Sequence, residues 1–322
     1  MTAPGTTGVV LAEVVRSGFV EGHHHGSLVA LGADGAAVVS LGDPARPVFP
    51  RSSNKPMQAV GMLQAGLRLD GELLALACAS HSGEAFHLEG ARRILAGAGL
   101  SEDDLQTPPD YPVDEVEKLS YVAAGGSPTP LAMNCSGKHA AMLATCVANG
   151  WPTSTYRDQD HPLQVSLRGT VERLAGEPVA AVGVDGCGAP LFAMPLTALA
   201  RAFAAIARAA DGTPEHRVAA AIRGYPEWLG GTRRDVTRLV AGVPGLIAKD
   251  GAEGVYAAAM PDGRAVALKI DDGTQRARPP VMVAALRALG VQAPVLDELA
   301  EAPLLGGGVP VGSVRAVVLQ PA

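Results

Sequence analysis

Lysine is scarce in this chain: five residues against 21 arginines in 322. Positive charge that only has to be present is carried by arginine, so each lysine invites a reason. Arginine does not give up its proton near neutral pH, whereas a partly buried lysine can. Other absences bound the function. No basic block interrupts a net charge of −6, which argues against nucleic acid as a partner. No apolar run is long enough to span a membrane. The N-terminal stretch "MTAPGTTGVVLAEVVRSG" lacks a basic segment followed by an apolar core, so a secretory signal is not expected and the cytoplasm is the expected compartment. There are four cysteines and no Cys-x-x-Cys. In that compartment they read as core thiols or metal ligands rather than disulfides.

What is present is a chain that can build a large core, 48% hydrophobic and 18% charged. "GSLVALGADGAAVVSLGD" predicts a hairpin about Asp34-Gly35, and "HHHG" at 23–26 lies on its approach. Helices are expected at Ser53 to about Gly66, with Ser53 as N-cap and Pro56 in the first turn. Further helices are expected at about 84–98, 138–149, 161–175, 196–210 and 280–289. A strand is expected at 178–185, a hairpin at 254–273 and a last strand in "SVRAVVLQ". Strands at both ends with helices between predict an α/β (α+β) fold. Its mostly antiparallel sheet would be assembled from both termini and flanked by helices. No repeat or long linker divides the chain, so one domain over 1–322 is expected, with a helical subdomain at about 57–175.

Four spots are dense in chemistry. Ser52 and Lys55 form the only Ser-x-x-Lys, where chance supplies about 0.2. Residues three apart on a helix share a face, and a desolvated amine can take a hydroxyl proton to make a nucleophile. The plainer alternative is a capping serine beside a solvated lysine. "CASHSGEAFH", 78–87, offers Ser80 as a second serine, or simply a helix cap. "NCSGKHAAML" and "VDGCGAP" each set a cysteine, Cys135 and Cys187, in a glycine-containing turn. Two thiolates and a third donor would make a zinc site, with His139 the expected third ligand on chemistry alone and Lys138 a poor candidate. The alternative is a pair of small buried hydrophobes, and Cys78 and Cys146 are read in that way. Lys269, inside the apolar "VALKI", points either to solvent or into a cleft. Lys249, before "DGAEGVY", reads as a solvated turn residue, and Lys118 as one charge on a charged segment.

The order "RSSNKPMQ", "ASHSGE", "NCSGKHA", "HPLQ", "VDGCGAP", "KDGAEGVY", "ALKIDDG" resembles the L-asparaginase II family, or class 3 asparaginases, from about Arg16 to Arg278. The resemblance implies a serine β-lactamase-like fold and hydrolysis of L-asparagine to L-aspartate and ammonia through a serine acyl-enzyme. It implies two serine–lysine pairs, matching Ser52 with Lys55 and Ser80 with Lys269, with Ser52 as the preferred nucleophile. It implies zinc held by Cys135, Cys187 and Lys138 in place of His139, tuning substrate affinity. His139, Asp185 and Arg51 become substrate contacts, the last two for the α-amino and carboxylate ends. A homodimer is implied as well. The alternatives are a glutaminase or another serine amidohydrolase of the penicillin-recognising type, or a non-catalytic zinc- or amino-acid-binding relative. Three departures from the family pattern stand out. Met133 replaces an asparagine before Asn134, Gly22 replaces a serine, and "TPPDYP" at 107–112 stands where a Cys-Gly-x-His-x-Pro segment is usual.

Overall fold

The structure, a computed structural model, describes residues 8–317. The chain opens with β1 (Val9–Arg16), β2 (Phe19–Leu31), β3 (Ala37–Leu41) and the short β4 (Pro47–Val48). A 3-10 turn (Arg51–Asn54) leads into α1 (Lys55–Gln64), followed by α2 (Gly71–Ala77), α3 (Ala85–Gly97), α4 (Glu115–Ala123), α5 (Ser136–Asn149) and α6 (Pro162–Ala175). Then come β5 (Ala181–Val184), β6 (Pro190–Pro195), α7 (Leu196–Ala207), α8 (Pro214–Gly224), α9 (Pro226–Leu229) and α10 (Asp235–Gly242). The chain finishes with β7 (Ile247–Asp250), β8 (Val255–Ala259), β9 (Ala265–Ile270), α11 (Arg278–Ala288), α12 (Val295–Leu299), β10 (Glu301–Gly306) and β11 (Val309–Ala316).

The main sheet runs β10-β11-β1-β2-β9-β8-β7, with β3 also on β2, and its pairings are antiparallel. Both chain ends meet in it, as expected: Ala12 pairs with Ala316. A small sheet, β4-β6-β5, stands apart. Strand β2 shows how the sequence writes the sheet. Its first half alternates, His24 buried between exposed His23 and His25, the period-2 signature of a half-covered face. From Gly26 to Leu31 every residue is buried, and α7 and α11 both pack on β2, β8 and β9. The core here is mainly aliphatic, Leu28, Val29 and Ala30 with Val281 of α11, joined by Phe203 of α7.

Six helices, α1 to α6, lie in sequence between the first strands and β5. Gly150 and Gly176 adopt left-handed φ of 66° and 77° and end α5 and α6, as C-terminal glycines do. Pro162 starts α6, with the His161 side chain accepting from Leu163 N. Some expectations need correction. Ser53 is not an N-cap, because its hydroxyl donates to Pro50 O at 2.6 Å and Asn54 precedes α1 without a side-chain cap. Helices α2, α4, α8, α9, α10 and α12 add to the expected set. The last strand ends at Ala316, and residues 318–320 of "SVRAVVLQ" lie outside the described residues. Among the described residues no helix is long and apolar enough to cross a membrane.

The glycine closing the "HHHG" stretch has a steric reason. A Cβ on Gly26 would lie 2.1 Å from the backbone oxygen of Lys269 on β9, an atom the ladder holds fast. We expect Gly26→Ala to lose about 1–3 kcal/mol or more, read as a lower urea midpoint with an unchanged m-value. An unaltered midpoint would refute this account of the β2–β9 contact.

Candidate active site

Three segments converge on the amine of Lys55. The chain enters α1 through the 3-10 turn, and Pro56 at the first helical positions needs no amide hydrogen there. Lys55 is 1% exposed. Its Nζ donates to Ala79 O at 2.5 Å and lies 3.0 Å from Ser80 Oγ and 3.1 Å from Cys135 Sγ. Ser80 follows α2, its amide held by Leu229 O, and Cys135 immediately precedes α5. A buried amine needs every such partner, since leaving one unmade is costly.

Beside this lies a thiol pocket. Met133, Cys135, Cys187 and Ala189 pack together, and Lys138 Nζ, on the first turn of α5, donates to Cys187 Sγ at 3.1 Å. Cys187 is held far below the usual thiol range, first by the hydrogen bond from the Cys135 thiol and then, against its burial, by the nearby Lys138 charge. The same hydrogen bond, with burial, pushes Cys135 up. Burial would lower Lys138, but the sulfurs of Cys187 and Cys135 outweigh it and raise the amine above the ordinary lysine value. The turn carrying Cys187 closes through Asp185 N to Ala189 O and Gly188 N to Asp185 O.

Arg51 forms the rim. It is a non-glycine residue at φ 53°, a strained conformation of the kind found at functional sites. Its Nε donates to Asp185 Oδ1 at 2.8 Å, and a second nitrogen lies 3.5 Å from Glu253. Glu253 is also left-handed, at φ 55°. Ser52, on the same turn, is half-buried and solvent can reach it. The 3-10 turn packs on β7, and just past that strand a Cβ on Gly251 would come within 2.5 Å of Pro50 O.

The sequence-derived residues thus divide. Lys55, Ser80, Cys135, Lys138, Cys187 and His139 share one buried region, and Arg51 and Asp185 are paired at its edge. Ser80, expected opposite Lys269, has Lys55 as its amine partner. Lys269, half-buried, donates to the backbone oxygens of Glu253 and Ile270. Lys249 corrects its reading as a solvated turn residue: it is fully buried at the end of β7, with Nζ on Asp250 O and Oδ1 at 2.8 and 2.6 Å. Burial lowers it to about 8 against the pull of Asp250, and the charge of Lys55 lowers it further. The missed signal was "GLIAKD", a lysine in an apolar run. Asp250 in turn is gripped by Arg234 at 2.5 Å and Arg278 at 3.6 Å.

His139 Nδ1 is 2.7 Å from the Tyr156 hydroxyl, and burial, then Lys138, lower its pKa to about 4. Among the described residues no three His, Cys, Asp or Glu side chains group to hold a metal ion. The nitrogen beside the two thiols is Lys138 Nζ, 3.1 Å from Cys187 Sγ. A cavity of about 600 Å³ lined by Leu67, Arg68, Arg93 and Val147 sits at the far ends of α1 and α5 and shares no residue with the site.

Behind Ser80, His81 stacks on His87 with ring centroids 5.1 Å apart. His81 Nε2 meets Ser136 Oγ at 2.9 Å and His87 Nε2 meets Glu227 O at 3.0 Å. Burial lowers both pKa values, His87 to about 4 and His81 well below its usual value. The unfolded chain therefore binds more protons than the native one below about 6.5. Stability contributed by these neutral rings is complete above that pH and is lost as pH falls toward 4. We expect the urea midpoint to drop over that window, and the drop to shrink in His87→Gln. A midpoint flat from pH 7 to 4.5 would contradict it.

Comparison with known proteins agrees with the motif order. The family model described as L-asparaginase II matches residues 12–316. No curated protein matches the chain. Among solved structures, a β-lactamase from Mycobacterium bovis is similar over 82% of this chain and 94% of its own, at 13% identity and a TM-score of 0.47. A protein named Mglu, in its tris and glutamate form, is similar over 81% of this chain and 58% of its own, at 14% identity and a TM-score of 0.36. With the family model covering nearly its whole length, the chain belongs to the L-asparaginase II family.

Proposed function

We propose that this amidohydrolase converts L-asparagine and water to L-aspartate and ammonia through a serine ester. The observation that carries the reading is the buried Lys55 amine, hydrogen-bonded to Ser80 and placed three residues after the solvent-reachable Ser52. Ser52 Oγ attacks the side-chain amide carbon, and its proton passes to Lys55. The C–N bond then breaks, and ammonia leaves with a proton returned by the Lys55–Ser80 pair. Water attacks the ester, regenerating the Ser52 hydroxyl and releasing aspartate. Lys249, a further buried amine, lies near enough to Lys55 to be lowered by its charge. Backbone amides of the turn and of the start of α1 would supply the oxyanion site, typically worth a few kcal/mol.

The Arg51–Asp185 ion pair supports an amino-acid substrate. An arginine against a carboxylate is what a zwitterionic head group can divide, its carboxylate going to Arg51 and its ammonium to Asp185. Ammonia release from L-asparagine, with L-glutamine in parallel, tests the reading. Ser52→Ala should lose at least about a thousandfold in kcat, of the order seen when a nucleophile is removed. Near-normal release in that variant, with loss in Ser80→Ala, would move the nucleophile to Ser80. No release from either amide by the wild type would sink the assignment.

Zinc fits the thiol pocket: Cys135 and Cys187 supply sulfur and Lys138 a nitrogen, a set of soft and borderline donors. When bound it would supply a fixed positive charge that orders the turns carrying His139 and Asp185. A ligating lysine must be neutral, and the raised pKa of Lys138 sets protons against the metal. Zinc affinity should therefore fall steadily as pH is lowered, measured by competition with a chromophoric chelator. Chelation should raise KM more than it lowers kcat. An affinity independent of pH, or a folded apoenzyme inert at saturating asparagine, would count against this role.

A further inference from the structure

Tyr156 is fully buried, and its hydroxyl has two partners. Gln106 N donates to it at 3.3 Å and His139 Nδ1 lies 2.7 Å away. A backbone amide only donates, so the phenolic hydrogen is free for the imidazole. Nδ1 then receives that hydrogen on its lone pair, which places the ring's own proton on Nε2. Nε2 is buried without a well-formed hydrogen-bond partner among the described residues, and the ring lies close enough to Cys187 for its N–H and its charge to help hold that thiol down. We infer that Tyr156 is a positioning residue, fixing His139 in its Nε2–H tautomer and presenting that N–H to the thiol pocket.

The phenol is itself firmly placed. Gln164 Nε2 donates to Tyr156 O at 2.7 Å, which gives the glutamine of "HPLQ" its work. Gln106 is held by Arg157 Nε on its Oε1 at 2.9 Å and by its own donation to Ser154 O at 2.8 Å. The Arg157 guanidinium covers Gly188, where a Cβ would come within 2.3 Å of it. The tyrosine segment therefore ties the 105–107 loop to the turn beside Cys187. His139 and Tyr156 meet edge-on, centroids 5.5 Å apart at 80°.

Two consequences follow. With hydrogen on Nε2, His139 has no lone pair facing the sulfurs, so it stays out of any metal set there and leaves the nitrogen position to Lys138. A ligand on this wall meets N–H donors and has to bring an acceptor, as a carboxylate or amide oxygen does. Neither step depends on turnover or on a bound metal.

The test is the ring nitrogen spectrum of His139 in metal-free protein labelled with 15N-histidine, recorded at pH 8 and assigned by its loss in His139→Gln. The wild type should give the pattern of an Nε2-protonated ring. Tyr156→Phe removes only the hydroxyl, and both nitrogens should move toward each other as the two tautomers exchange. Tyr156→Phe should also let His139 compete as a ligand, read as a new imidazole contribution in the absorption of the cobalt-substituted protein. A wild-type ring protonated on Nδ1 would overturn the inference, whether or not the variant folds. So would a folded Tyr156→Phe protein with unchanged nitrogen shifts.

Discussion

The structure depends on keeping an amine dry at Lys55. An isolated ammonium in a low-dielectric interior is prohibitively unfavourable, and even a neutral amine needs partners. The three partner groups come from two places in the sequence: a carbonyl at Ala79 and a hydroxyl at Ser80 on one turn, and a thiol at Cys135. Helix α1, the turn after α2 and the start of α5 must all be in position before that atom is satisfied. The chemistry and the packing of the helical part are thus one requirement.

A second buried charge system continues it on the sheet side. Lys249 and Asp250 end β7, and Arg234 and Arg278 close on Asp250 from the starts of α10 and α11. Arg278 also donates to Gly251 O, the residue whose backbone presses on Pro50 beneath the serine turn. This network fixes the floor under Ser52 while adding positive field next to Lys55. Buried ion networks stabilise little by themselves, but breaking one partner is severe, which suits a device that holds one geometry.

The periodic elements were legible in the sequence. Strands near both ends, the long helices α3, α5, α6 and α7, and the Pro-Asp-Gly hairpin all carry patterns several residues long. Helix α2 has seven residues and little room for a period. Helix α4 buries none of its residues, so no apolar face needed marking against a core. At the site, motif order brought out Lys55, Ser80 and the thiols, because each sits in a turn with unusual composition. Lys249 was hidden because Asp250 beside it reads as an exposed turn carboxylate, while the two arginines that bury that carboxylate, Arg234 and Arg278, lie 16 and 28 residues from it. Tyr156 was hidden because a hydroxyl that fixes a tautomer has no sequence signature beyond being a tyrosine. The exchange of Lys269 for Lys55 as the partner of Ser80 is likewise a matter of helix placement, which local sequence does not encode.

The closure of the sheet by both chain ends has a consequence for how the protein is made. Strand β1 is flanked by β2, which leaves the ribosome almost at once, and by β11, which pairs residue 12 with residue 316. Strand β2 likewise waits for β9, some 240 residues later. Throughout synthesis the N-terminal hairpin carries open strand edges and an apolar second half of β2, the kind of surface that captures other chains. The helical stretch from α1 to α6 is complete by residue 175 and can collapse early on local contacts. The serine turn, however, has no floor until β7 arrives. The serine turn is therefore ordered only once β7 to β9 have been made, and a chain truncated before β9 exposes the edges that the finished sheet conceals.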